Sequence, residues 1–263
     1  GFGGAYAAWK KFGSKAEYVA VRHSFPPPPG LKDKEIYMID FVYPEPITKK
    51  LMRENRRVTA IDHHISVKAV TEMTKNYSYA LDHSGAVLAW QYFHAGKKVP
   101  VLLRHIEDMD LWKFKLPRTK EIFSFLDLFD FSFKVWDKLV KDFENPAKRK
   151  KHIETGKLIL MHENKLVERN VANDAEKVVF EGYKVLAVNS SNFQSQIGNR
   201  LYTKQPPLGI IWQQRGGAIK VSLRSDGTVD VAKIAGKYGG GGHKASSSFV
   251  WPLDKKLPWS YGW

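Results

Sequence analysis

Two short runs hold the residues with the clearest chemical potential. Ile61-Asp62-His63-His64 places a carboxylate and two imidazoles directly after the apolar run Arg57-Val58-Thr59-Ala60-Ile61. Far downstream, Lys237-Tyr238-Gly239-Gly240-Gly241-Gly242-His243-Lys244-Ala245 joins four consecutive glycines to a histidine and a lysine. Glycine lets backbone N–H groups approach an anion with no Cβ in the way. The first run suits a metal and the second a phosphate, which together suggest phosphoester chemistry divided between two domains. Two divalent cations about 4 Å apart can clamp a phosphoryl group and generate hydroxide at neutral pH. Further carboxylates for such a centre are Asp40, Asp82, Asp108 and Asp110, the last two set in Ile106-Glu107-Asp108-Met109-Asp110. Arg224 is placed to form a two-pronged phosphate clamp.

These residues need elements that carry them to one place. Residues 3–13 read as a helix closed by a glycine, and Tyr18 to Arg22 as a strand. Glu35 to Asp40 reads as a strand with a carboxylate at its C-terminal end. Pro46 to Asn55 reads as a helix with proline in its first turn, and Val58 to Ile61 as the next strand. That rhythm predicts a mostly parallel α/β sheet, in which ligands gather at the carboxyl ends of strands. Asp40 and Asp62 stand at two such ends. Helices are predicted over 84–93 and 99–108, and largely over 119–165. A second α/β pattern begins near 177. It has a strand over 184–188, a helix over 192–201, a hairpin of 208–213 with 218–224 across Arg215-Gly216-Gly217, and a helix over 229–238. The glycine loop and a strand over 246–251 complete it.

The 263 residues suffice for one large domain or two small ones, and 43% are hydrophobic, so a packed core is expected. The formal net charge is +15, and it is not confined to a tail. Residues 1–125 carry 20 basic and 13 acidic side chains, and residues 126–263 carry 22 and 14. A balance of this kind suits a polyanionic partner. The chain has no cysteine, which excludes disulfides and thiolate metal sites and leaves His, Asp and Glu as ligands for Mn²⁺, Mg²⁺ or Zn²⁺. No stretch reaches the roughly 18 apolar residues of a membrane span, so no membrane partner is expected.

Taken together and in order, these motifs resemble those of the DHH phosphoesterase superfamily, a DHH domain joined to a C-terminal DHH-associated domain. That group includes RecJ-like exonucleases, nanoRNases and phosphoadenosine-phosphate phosphatases. Tyr37-Met38-Ile39-Asp40 resembles the second motif, Ile61-Asp62-His63-His64 the signature, and Ile106-Glu107-Asp108-Met109-Asp110 the fourth. Gly240-Gly241-Gly242-His243 resembles the glycine-histidine motif of the second domain. The resemblance implies a mostly parallel DHH domain over 1–125, a helical connector over 126–175 and a smaller α/β substrate-binding domain over 176–263, with the active cleft between the domains. It implies two Mn²⁺ ions, or Mg²⁺, with Asp40 bridging. His63 and one of Asp108 or Asp110 would be further ligands, Asp108 first. Asp62 and His64 would orient ligands or move protons, and Arg224, Gly240, Gly241, Gly242 and His243 would hold substrate phosphate.

Two departures accompany the resemblance. Gly1-Phe2-Gly3-Gly4 resembles the tail of the first motif, whose His and first Asp are expected just before Gly1, and Phe2 stands where many members carry a second Asp. Ser246-Ser247-Ser248 replaces a small Ala/Gly run. The implied activity is metal-dependent hydrolysis of short RNA, single-stranded DNA or a nucleotide. The competing expectation is a catalytically degenerate nucleic-acid or ribonucleoprotein-binding protein. A homodimer or a ribonucleoprotein partner fits either. The expected compartment is the cytoplasm, or a mitochondrion or other organelle after removal of a transit peptide.

Overall fold

The computed structural model describes residues 1–21 and 25–263. The chain divides into two compact units, Gly1–Leu160 and Met161–Trp263. In the first, α1 (Phe2–Phe12) precedes β1 (Glu35–Ile39), α2 (Glu45–Glu54), β2 (Arg57–Asp62), α3 (Lys68–Met73) and β3 (Asn76–Tyr79). Four helices follow: α4 (Gly85–Phe93), α5 (Val101–Asp110), α6 (Thr119–Leu126) and α7 (Phe133–Glu144). The long helix α8 (Pro146–Asp174) crosses the division.

The three strands form a parallel sheet in the order β1-β2-β3, with Ile39 opposite Ile61 and Asp62 opposite Tyr79. Parallel sheets are covered on both faces, and the two-residue period of each strand divides its side chains between them. Ile36, Met38, Val58 and Ala60 face a small core with Phe41, Val42, Tyr43 and Leu51. Tyr37, Ile39 and Ile61 face the main core, where Tyr6, Leu88, Trp90, Leu102, Leu103 and Ile122 are packed. From α7, Trp136, Leu139, Val140 and Phe143 belong to that same core.

The predicted strand at Tyr18–Arg22 does not form over residues 18–21, and Arg22 lies outside the described residues. Val19 and Val21 are exposed, and the Tyr18 hydroxyl donates to Gly13 O at 2.8 Å, which holds the segment against the end of α1 instead of along a strand.

The second unit holds β4 (Glu176–Phe180), β5 (Tyr183–Asn189), α9 (Gln194–Lys204), β6 (Leu208–Arg215) and β7 (Ala218–Ser225). It continues with α10 (Val231–Lys237), β8 (Gly241–His243), β9 (Ser246–Pro252) and β10 (Ser260–Tyr261). Its mixed seven-stranded sheet runs β10-β4-β5-β6-β7-β9-β8. β5 and β6 are parallel across α9, and β6 pairs antiparallel with β7 from Leu208↔Ser225 to Arg215↔Ala218. The two-residue turn between them is Gly216-Gly217, with φ of 56° and 78°. Positive φ at both positions is what the twist of a tight hairpin demands. The glycine run corrects the expected loop: Gly241 to His243 form an edge strand paired with Ser248 to Ser246.

One buried charge ties α7 to α8. Asp142 accepts from Lys138 Nζ at 2.6 Å and Lys148 Nζ at 2.7 Å, with His152 Nε2 at 3.6 Å. The lysines hold its carboxyl well below the ordinary 3.8. A depressed carboxylate pKa adds stability that is complete above the ordinary value and is lost as pH falls through and below it. Asp142→Asn should therefore cost about 1–3 kcal/mol at neutral pH. In denaturant titrations the gap to wild type should close progressively as pH drops below 3.8.

Candidate metal centre and anion pocket

The candidate metal centre is assembled at the carboxyl ends of β1 and β2. Asp40 N still donates to Ile61 O at 2.8 Å, and the chain then turns through a left-handed backbone at Asp40, φ 57°. Such a conformation is strained for a residue with a Cβ, and strain of this kind concentrates at functional sites. The Asp40 side chain lies against Gly85 at the start of α4, where an added Cβ would sit 2.4 Å from Oδ1. Only glycine leaves that space, and the amino end of a helix suits a carboxylate.

His63 is buried, with Nε2 3.3 Å from Asp40 Oδ1 and 3.3 Å from Asp110 Oδ2. The rings of His63 and His64 lie 4.3 Å apart. Asp62, fully buried, accepts from His64 N at 2.7 Å and contacts His64 Nδ1 at 2.8 Å through the same oxygen. A ring whose Nδ1 is committed in this way can ligate only through Nε2. Asp40, His63 and His64 can each bring a ligand atom within 4.8 Å of the others.

The electrostatics of the group call for a cation. Burial raises the Asp40 carboxyl, and the hydrogen bond to His63 lowers it. Burial and the Asp40 charge push Asp110 upward. The bond to Asp62 raises His64 against the effect of burial. Asp62 Oδ2 is buried with no hydrogen-bond donor among the described residues. The donor atoms of Asp40, His63 and His64, all within 4.8 Å of one another, fit a divalent cation, and this oxygen–nitrogen donor set suits Mn²⁺, Mg²⁺ or Zn²⁺.

Asp108, the first choice of the two acidic candidates, is placed elsewhere. Its carboxylate accepts from Lys115 N at 2.7 Å, Leu116 N at 3.2 Å and Thr119 Oγ1 at 2.6 Å. Burial raises its carboxyl, and these donors more than reverse the effect. With three donors around it, Asp108 fastens the 113–119 segment to α5, and Asp110 is the residue that reaches His63. Asp82 stays out of the cluster; its carbonyl accepts from Lys113 Nζ at 2.7 Å. The sequence reading overlooked Glu107, whose Oε2 accepts from Ser84 N at 2.9 Å and meets His83 Nδ1 at 2.9 Å. It thereby fixes the residues entering α4 beside Gly85. Its spacing of three from Asp110, which puts both on one helix face, was the available signal.

Phe2 belongs to an aromatic cluster. Its ring lies 5.0 Å from Phe133 and 4.8 Å from Trp136. Gly3 and Gly4 allow α1 to lie close to Ala86 and Ile39, where added Cβ atoms would fall at 2.9 and 2.5 Å.

The second unit carries a polar cavity of about 150 Å³. Lys220, Ser222 and Arg224 alternate along β7 and line it, with Ser246, Ser247 and Ser248 of β9, Gly241 and Gly242 of β8, and Gln194 of α9. The intervening Val221 and Leu223 face the core. Ser246, Ser247 and Ser248 pair with Arg224, Leu223 and Ser222, and the buried Ser247 hydroxyl donates to Val231 O at 2.6 Å. Arg224 is half-buried, its pKa lowered by burial, and donates to Leu223 O and Ser195 Oγ at 3.0 and 3.1 Å. Gly198 makes room for it, since an added Cβ would lie 2.5 Å from Arg224 Cγ. Gly240 is packed against Ser248 O and Phe249, and His243 is exposed; neither lines the cavity. Lys220, Ser222, Gln194, Ser246 and Ser248 escaped the sequence reading as pocket residues, although the two-residue polar period of Lys220-Val221-Ser222-Leu223-Arg224 was there to see.

A parallel sheet with a His/Asp group at its carboxyl ends, followed by a mixed α/β unit with a cationic pocket, defines a two-unit α/β protein with candidate metal and anion sites. Residues 185–258 match the DHHA1 domain. Uncharacterized protein R106 of Acanthamoeba polyphaga mimivirus is 26% identical over 95% of this chain, and the chain spans 64% of that protein's length. Oligoribonuclease NrnB of Bacillus subtilis (strain 168) is 43% identical over 61 residues, 23% of this chain and 15% of that protein. An exopolyphosphatase-related protein from Bacteroides fragilis overlays with a TM-score of 0.42 at 13% identity, covering 85% of this chain and 67% of that one. The match over residues 185–258 supports the resemblance to the DHH superfamily.

Three substitutions separate the ligand cluster from the fold that supports it. Asp110→Asn and Gly85→Ala should each weaken Mn²⁺ binding by about tenfold or more in calorimetry. Asp108→Asn should chiefly lower the thermal midpoint. In the second unit, Arg224→Gln should weaken binding of inorganic phosphate to the full chain by about tenfold, as read by calorimetry.

Proposed function

We propose that this protein is a metal-dependent phosphoester hydrolase acting on short oligonucleotides or nucleotides, with the two-metal chemistry that its family resemblance implies. The observation that carries this reading is the convergence of Asp40, His63 and His64, with Asp110 against His63, in one partly buried group at the ends of β1 and β2. The relationship to an oligoribonuclease supports the substrate class. Asp40, His63, His64 and Asp110 would hold the metal, which when bound supplies Lewis-acid polarisation of the phosphoryl group and a nucleophile at neutral pH.

The chain's own residues do the rest. Asp62 fixes the tautomer and orientation of His64, so that the ring need not reorganise. Gly85 and the left-handed turn aim Asp40. Glu107 holds the entrance to α4. Arg224, Lys220 and the pocket serines offer charged and neutral donors to a phosphate group, and Arg224 alone can present two parallel N–H groups to it.

The test is hydrolysis of a labelled dinucleotide and a short RNA with Mn²⁺ and with chelator. Cleavage should require the metal, and Asp40→Asn should abolish it. Asp62→Asn should lower metal affinity by about 10- to 100-fold, as expected for a residue that orients a ligand. Absence of metal-dependent cleavage with oligonucleotide binding intact would favour the degenerate binding protein. A nucleotide phosphatase would show a shallow salt dependence of substrate binding, because few phosphates are engaged.

A further inference from the structure

The first unit has a second concave site, at the end of its sheet opposite the metal centre. α1 starts beside Ile39 and Gly85 and ends at Phe12, whose ring lies 5.5 Å from Tyr37 and 5.4 Å from Phe93. Its length places the two ends about 16 Å apart. There the last turns of α1 and α4 and the chain after α4 enclose a cavity of about 490 Å³ lined by Lys10, Lys11, Tyr92, Phe93, His94 and Lys97.

The lining converges on positive charge. Lys10 is paired with Asp137 at 2.9 Å, whereas Lys11 and Lys97 are exposed and have no carboxylate partner among the described residues. His94, buried at the base, contacts Ala7 O through Nε2 at 3.0 Å. Burial lowers its pKa, and the charges of Lys97, Lys11 and Lys10 lower it further, so all three lysines act on one point. Tyr92 is 38% exposed, with its ring 6.4 Å from that of Tyr37. Arg57 lies 5.8 Å from the Tyr37 ring centroid and donates to its hydroxyl at 2.8 Å. Cations interleaved with exposed rings are the means by which proteins grip single strands, with ammonium groups on phosphates and rings under bases.

We propose that this pocket binds single-stranded nucleic acid, with Lys11 and Lys97 on its phosphates and Tyr92 beneath a base. The site is remote from the metal centre and does not depend on hydrolysis. The test titrates a fluorescent single-stranded RNA of about twelve nucleotides against the full chain in chelator, where no metal-dependent cleavage intervenes. Lys11→Glu/Lys97→Glu should weaken binding about tenfold or more, and the slope of log K against log salt should become shallower by about 1.4, two contacts at about 0.7 each. Lys11→Gln/Lys97→Gln should show the same slope change without charge reversal. Tyr92→Ala should weaken binding about fivefold or more with the slope unchanged. Thermal midpoints at the wild-type value will show that the variants fold. Wild-type affinity and slope in both lysine variants would overturn the proposal. It would also be overturned if those variants lost binding to phosphatidylserine vesicles while holding RNA as wild type does.

Discussion

Carboxylates repel one another when they are brought together out of water, and the first unit is organised around that constraint. Asp40, Asp62 and Asp110 are gathered within reach of two imidazoles at one end of a three-stranded sheet. Burial and the Asp40 charge push Asp110 upward, while His63 draws Asp40 down. A divalent ion held among them would neutralise several of these charges at once. The surrounding structure keeps the group from relaxing in other ways. The left-handed turn at Asp40, the glycine at the head of α4 and the buried pairing of Asp62 with His64 each remove an alternative position for a ligand.

The second unit solves a related problem with the opposite charge. Its hairpin puts core residues on one face of the sheet and Lys220, Ser222 and Arg224 on the other, so a cationic pocket costs the core nothing. Three serines on the neighbouring strand divide their work. All three pair across the ladder, with Arg224, Leu223 and Ser222, and the hydroxyl of the middle one donates to Val231 O. Serine thus substitutes for a smaller residue without disturbing the strand, because its hydroxyl finds a carbonyl where it is buried.

Much of this could be read from the chain itself. Asp40 and Asp62 were legible because each follows an apolar run that could only be a buried strand, and strand ends fix position to within a residue. Asp108 and Asp110 were not separable, because two residues on a helix point roughly 200° apart and the sequence does not say which side meets β2. The partners of Asp108 come from the 113–119 segment, whose path no periodicity reveals. Gly241 to His243 read as a loop because glycine is depleted in strands, yet pairing with Ser246 to Ser248 overrides that preference. Tyr18 to Val21 had the composition of a strand and no neighbour to pair with.

The grip of Asp108 also bears on the order in which the first unit comes together. Its partners lie 7, 8 and 11 residues along the chain. Closing loops of that size costs little entropy, whereas joining Asp40 to Asp110 closes a loop of about seventy residues. Contacts between near neighbours form sooner than contacts between distant ones. The Asp108 contacts are therefore the cheaper ones to close, and the last turn of α5 is shaped by partners close to it in the chain. The alignment of Asp110 with His63 depends instead on the long-range docking of helix on strand.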